Sequence, residues 1–134
     1  MAVGNVESDN ARYSPQASFG SNWGLAVDIF GPGTDIVSAS QLSDTSTRTA
    51  TGTSDASPFV AGLVCYLRTL EGVSTPAEAT ARVFELATDN LVIDPKGSAN
   101  RLAYNGSGLW DEKVSNIQYL SALMSMSVYG LGIK

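Results

Sequence analysis

The stretch that decides the fold reads Gly52-Thr53-Ser54-Asp55-Ala56-Ser57-Pro58-Phe59-Val60-Ala61-Gly62. It follows a threonine-rich segment, residues 47–51, and opens an apolar run that continues to Leu70. Glycine lets the backbone bend sharply where a strand meets a helix. Apolar residues cover nearly every face of residues 56–70, which is typical of a helix with packing partners on several sides. The stretch therefore predicts a strand, a glycine bend and a buried central helix.

The serine at the start of that helix has two interpretations. At a helix N-terminus, unpaired backbone N–H groups and the positive end of the helix dipole converge around Ser54. Such groups stabilise a developing oxyanion, so the hydroxyl is well placed for nucleophilic attack. Alternatively, Thr53 or Ser54 only caps the helix, which is the commoner role of these residue types. The local pattern by itself favours the cap.

The segments around this stretch alternate between strand and helix patterns. Residues 25–30 form a short apolar run that ends at Gly31-Pro32-Gly33, which is typical of a strand buried on both faces of a parallel sheet. Residues 36–39 and 47–51 flank a polar loop and predict a hairpin. Thr75-Pro76-Ala77-Glu78 combines a capping threonine, a proline and a capping-box glutamate, and so predicts the start of a second helix. This order of elements predicts an α/β layered fold.

Composition excludes several classes of protein. The chain has 134 residues, enough for one modest domain, with 43% hydrophobic and 16% charged residues. Its net charge is −5 and no basic stripe occurs, so we expect no nucleic-acid partner. No run of eighteen apolar residues occurs, so we expect no membrane span. The first five residues lack the basic start and apolar segment of a secretory signal.

Two side-chain counts restrict the chemistry further. The single cysteine excludes an internal disulfide and any multi-cysteine zinc site. Because Cys65 lies in an apolar run, we expect it to be packed inertly in the core. The chain contains no histidine, the usual general base beside a serine nucleophile. A hydrolytic mechanism drawn from these residues alone would lack that base.

Residues 52–62 resemble the serine signature of the subtilase family, which usually reads Gly-Thr-Ser-Met-Ala-x-Pro-His-Val-Ala-Gly. Ala2-Val3-Gly4 resembles the strand before the substrate-pocket region, and residues 28–34 resemble a segment of proteinase K-like members. Residues 100–105 look like the end of such a catalytic domain. The resemblance covers residues 2–108. It implies the C-terminal portion of a subtilisin-like three-layer fold, a parallel sheet with a buried central helix, in a partial domain of residues 1–108.

The resemblance also implies a function. It makes the chain part of a serine endopeptidase that acts on peptides or proteins and requires no cofactor. Ser54 would be the acyl-forming nucleophile, and its backbone N–H would supply half of the oxyanion hole. In the family the catalytic aspartate, the histidine and the oxyanion asparagine precede the matching region. The resemblance thus implies a missing N-terminal half and an inactive isolated chain. Relatives are secreted, whereas the sequence leaves the location open.

Four positions need separate interpretation. Asp55 replaces the usual methionine, and its carboxylate opposes an oxyanion although it suits the helix dipole. Phe59 replaces a structural histidine, which we interpret as a packing change. Asp28 matches a calcium-binding aspartate of proteinase K-like relatives, and is either a structural calcium ligand or a turn carboxylate. Asn105-Gly106-Ser107 is a glycosylation sequon, for which a simple turn is the default interpretation.

Residues 109–134 have no recognised counterpart in the family. Their apolar residues recur at helical spacing, which predicts an amphipathic helix for interaction or is accidental: Trp110, Val114, Ile117, Leu120 and Met124. Two alternatives to an endopeptidase therefore stay open. The chain is either a non-catalytic binding or regulatory module, or a truncated gene product.

Overall fold

A computed structural model describes residues 1–16 and 19–107. Within these ranges the elements are β1 (Val3–Val6), β2 (Ile29–Pro32), β3 (Ile36–Ala39), β4 (Thr47–Ala50), α1 (Thr53–Glu71), α2 (Pro76–Leu86), β5 (Thr88–Asp89) and β6 (Arg101–Leu102). The predicted tail helix, residues 109–134, lies outside the described residues, so the division of the chain at residue 108 stays a prediction.

A four-stranded sheet in the order β1-β2-β6-β5 forms the centre of the fold. The β1–β2 and β2–β6 pairs are parallel, whereas β5 and β6 are antiparallel. All four residues of β2 are buried, as predicted for a strand covered on both faces. The strand begins at Ile29 rather than at Leu25, because Val27 N–H donates to the carbonyl of Gly24 at 3.0 Å in a turn.

The predicted hairpin is confirmed by β3 and β4, which pair antiparallel with Ile36 opposite Ala50. It leaves the central sheet after β2 and returns directly before α1. Its two ends are joined by a hydrogen bond of 2.8 Å from Gly52 N–H to the carbonyl of Gly33. The hairpin therefore brings the start of α1 to the C-terminal end of β2.

Apolar side chains cover both faces of the central sheet. One cluster lies between the sheet and the two helices, and consists of Ile29, Val60, Leu63, Leu67, Val83 and Ala103. The other lies on the opposite face, and consists of Val6, Val27, Phe30, Val92 and Leu102. A sheet between a helical layer and a second apolar layer is the predicted α/β architecture.

The central helix is buried along one side. Its buried residues are Ala56, Phe59, Val60, Leu63 and Leu67. The opposite side is exposed among the described residues, with Tyr66 47% and Leu70 64% accessible. Cys65 lies on this exposed side, so the prediction that it is packed in the core is wrong. The uniform apolar pattern did not show which side of the helix faces the sheet.

The second helix begins with the predicted capping box. Thr75 Oγ1 accepts the Glu78 N–H at 3.2 Å, and Glu78 Oε2 accepts the Thr75 N–H at 3.0 Å. Ser74 donates to the same carboxylate oxygen from its N–H and its hydroxyl. These bonds, that from the Thr75 backbone first, lower the pKa of Glu78. Neither helix in the described part of the chain is long and apolar enough to cross a membrane.

Candidate active site

Ser54 lies in the first turn of α1 with an exposed side chain. The helix is capped by Gly52, and no side chain makes a capping hydrogen bond. The alternative in which Thr53 or Ser54 caps the helix is therefore not what the structure shows. As the first N–H groups of the helix, those of Thr53 and Ser54 have no intrahelical acceptor, and no side chain caps them. Ser54 thus lies at the positive end of the helix dipole, as the first interpretation of this stretch predicts.

Gly52 keeps the space in front of the serine open. Its φ of 168° is ordinary extended backbone, so the glycine is not required for a left-handed turn. A Cβ at this position would instead lie 3.2 Å from Ser54 Oγ and 3.5 Å from Asp55 Oδ2. Any larger residue would crowd the Ser54 hydroxyl. We therefore infer that glycine is needed here to keep this hydroxyl accessible, and not to allow an unusual backbone conformation.

Gly33 contacts Gly52 at the base of the β3–β4 hairpin. Its carbonyl accepts the Gly52 N–H at 2.8 Å. A Cβ at Gly33 would lie 2.6 Å from the Gly52 oxygen and 2.8 Å from Ala56 Cβ. Such distances leave no room for a side chain, so the close approach of these two backbone segments requires glycine. The position of Ser54 thus depends on a residue that precedes it by a whole hairpin.

Asn5 of β1 lies next to Gly33. It is fully buried, and its Oδ1 accepts the Thr34 hydroxyl at 3.2 Å. The same oxygen lies 2.7 Å from the Cβ position of Gly33. Its Nδ2 has no hydrogen-bond partner among the described residues. We did not single out Asn5 in the sequence, although a polar residue inside the apolar strand β1 is a signal that could have identified it.

Asp55 is the one acidic residue in the first turn of α1. The Ser54 hydroxyl donates to its Oδ2 at 3.5 Å, a long hydrogen bond. No lysine or arginine forms an ion pair with Asp55 in the ranges that the structure covers. An uncompensated carboxylate therefore lies directly beside the hydroxyl.

Phe59, the other departure from the family signature, is 7% accessible, which suits its interpretation as a packing residue.

Asp28 lies at the opposite end of β2 from the serine turn. Its Oδ2 accepts the Ala2 N–H at 2.7 Å, and its own N–H donates to the Ala2 carbonyl at 3.0 Å. Calcium takes six to eight oxygen ligands, and the described residues contain no group of three acidic, histidine or cysteine side chains that could hold an ion. Calcium at Asp28 stays a prediction.

The glycosylation sequon forms a turn, as its default interpretation predicts. Asn105 Oδ1 accepts the Ser107 N–H at 3.1 Å, and Asn105 is only 8% accessible. The side chain that would carry a glycan is therefore engaged inside the fold.

Comparison with known proteins shows to which family the chain belongs. Residues 1–108 match the sequence model of the subtilase family. The chain belongs to the subtilase family. An alkaline protease of Aspergillus clavatus is 52% identical over 107 residues, which cover 80% of this chain and 25% of that protease. A subtilisin-like protease of Coccidioides posadasii is 52% identical over 106 residues, which cover 79% of this chain and 25% of that protease.

A solved structure agrees with the subtilase assignment and with the predicted fold. The crystal structure of a cold-adapted subtilisin-like serine proteinase matches with a TM-score of 0.65 and 38% identity. The match covers 81% of this chain and 36% of that one. The predicted subtilisin-like α/β fold is thereby confirmed. The chain spans 25% of the length of the curated subtilases described above.

Proposed function

We propose that this subtilase chain supplies the nucleophile-bearing part of a serine endopeptidase domain, with Ser54 as the nucleophile. The observation that carries the proposal is the exposed Ser54 hydroxyl at a helix start that no side chain caps, with the open side of Gly52 in front of it. Peptides and proteins are the proposed substrates. Export from the cell, which the resemblance implies, is part of the same proposal.

The proposed reaction proceeds by acyl transfer. Ser54 Oγ attacks the carbonyl carbon of the scissile peptide, and the carbonyl π electrons move to its oxygen. The Ser54 N–H donates to this oxyanion, and one such donor contributes about 3–4 kcal/mol in favourable cases. The hydroxyl proton passes to a general base and then to the leaving amine as the C–N bond breaks. Water hydrolyses the acyl ester and returns the enzyme.

The general base must come from outside residues 1–134, because the chain contains no histidine. The same applies in this proposal to the aspartate that orients the base and to the second oxyanion donor. Without a base, Ser54 keeps the weak nucleophilicity of an ordinary alcohol. We therefore expect no measurable peptidase turnover by the isolated chain.

A fusion tests the proposal. The part of the Aspergillus clavatus alkaline protease that precedes its matching segment is joined to Met1 of the full chain. We expect a fluorophosphonate probe to label Ser54 in the fusion and to leave the isolated chain unlabelled. The Ser54→Ala fusion, which keeps every other contact, is the matched control.

Two results would overturn parts of this proposal. Labelling of the isolated chain at Ser54 would show that no external base is needed. A folded fusion whose labelling and peptide hydrolysis equal those of the Ser54→Ala control would remove Ser54 from the nucleophile role, and would favour the non-catalytic binding module.

A further inference from the structure

We propose that Asp55 determines the substrate specificity of the Ser54 site, because its carboxylate selects peptides that carry positive charge beside the scissile bond. The inference rests on the proposed function of Ser54. It concerns the residue at which this chain departs from the usual family signature directly after the serine.

The position of the carboxylate is the first observation. Asp55 Oδ2 lies 3.5 Å from Ser54 Oγ. Both atoms border the open side of Gly52, at 3.5 Å and 3.2 Å from the position that a Cβ would occupy there. A reacting carbonyl carbon must come to within about 3–3.5 Å of the attacking oxygen. The backbone of a bound substrate would therefore pass directly beside the carboxylate.

Nothing in the described part of the chain neutralises this charge through an ion pair. The basic side chains that form ion pairs there are bonded to other carboxylates: Arg12 to Asp94, Arg82 to Glu71 and Glu85, and Arg101 to Asp89. The helix dipole supplies only a partial positive charge at Asp55. No side chain in the described ranges therefore competes with a cationic substrate residue for the Asp55 carboxylate.

The energetic consequence depends on the substrate. With a neutral peptide, the oxyanion develops its charge near a fixed negative charge, which raises the energy of the transition state. A lysine or arginine residue beside the scissile bond pairs with Asp55 and offsets this repulsion. A glutamate at the same place adds a second like charge. For a solvent-exposed ion pair we expect a preference of about threefold for lysine over its neutral analogue.

The fusion described above provides the test. The ratio kcat/KM is measured for three peptides that differ only in the residue beside the scissile bond, which is lysine, glutamine or glutamate. With Asp55 present we expect lysine to exceed glutamine by about threefold, and glutamate to be the poorest. In Asp55→Asn, which keeps the size of the side chain and removes its charge, we expect the three peptides to be equivalent and the glutamine peptide to be cleaved faster.

A matched control removes the same charge elsewhere. Asp44 is an exposed aspartate at the far end of the hairpin, and Asp44→Asn should leave the lysine preference unchanged. If the Asp55→Asn fusion is active and still prefers lysine by the same factor, the role of Asp55 is refuted while the nucleophile stands. If neither the unchanged fusion nor its Asp55→Asn variant exceeds the Ser54→Ala control in activity, it is the proposed function that fails.

Discussion

The two helices of this subtilase start in opposite ways. The first turn of α2 is closed by a reciprocal capping box between Thr75 and Glu78, with Ser74 on the same carboxylate. The first turn of α1 is preceded by Gly52 and has no side-chain cap. One helix thus uses its N-terminal residues for local stability, whereas the other leaves the N–H groups of Thr53 and Ser54 without an acceptor among the described residues.

The two helix starts are held in place by contacts of different range along the sequence. The start of α2 is held by residues within four positions of one another. The start of α1 is held from a distance, by the hydrogen bond from the Gly52 N–H to the carbonyl of Gly33. A helix start that leaves its donors free for a ligand needs such tertiary support, because the usual local device would occupy the donors.

The substitution that we expect to destabilise the start of α1 most is Gly33→Ala. The added methyl group would overlap the Gly52 oxygen at 2.6 Å and Ala56 Cβ at 2.8 Å. Overpacking of this kind forces the backbone apart, and we expect a loss of about 3 kcal/mol in the free energy of unfolding. Urea denaturation measures the loss.

The control for this change is Gly72→Ala at the C-cap of α1. Gly72 has a φ of 70°, and nothing lies within 4 Å of its Cβ position. We expect a cost of about 1 kcal/mol there from backbone conformation alone. If the two variants are equally stable, the close approach at Gly33 does not support the serine turn.

A pair of substitutions compares the two starts directly. Thr75→Ala removes the cap of α2 and should cost about 1 kcal/mol of unfolding free energy. Ser54→Ala removes an exposed hydroxyl that caps nothing, and should change it by less than about 0.5 kcal/mol. Thermal unfolding of both variants tests the contrast. An equal loss in the two would mean that Ser54 stabilises α1 as a cap does.

The smallest expected effect is on acid stability. Hydrogen bonds from the Thr75 and Ser74 groups lower the pKa of Glu78 below its usual 4.5, and a hydrogen bond from Arg82 lowers that of Glu71. A lowered pKa in the folded state stabilises the fold above the usual value, and this contribution is lost as the pH falls through 4.5 and below. The denaturation midpoint should therefore decrease on acidification.

A glutamine substitution isolates the contribution of the cap to this effect. Glu78→Gln keeps a capping-box residue that does not titrate in the acid range. The variant should show a weaker dependence of the midpoint on pH than the unchanged chain, with Glu71 providing the remainder. An unaltered slope would show that the cap does not contribute.

Sequence reasoning succeeded where the determining contacts are local. The capping box of α2 and the β3–β4 hairpin are encoded by neighbouring residues, and both were predicted correctly. The role of Gly33 depends on its contacts with Gly52 and Ala56, which lie far along the chain, so no local pattern indicates it. Cys65 was predicted wrongly for the same reason, since the side on which a uniformly apolar helix packs is decided by its tertiary partners.

The buried sequon has a consequence for the order of events during biosynthesis. Because the Asn105 amide accepts a backbone N–H and is shielded by the fold, a transferase could reach it only on an unfolded chain. A sugar on Asn105 would therefore record that attachment preceded folding.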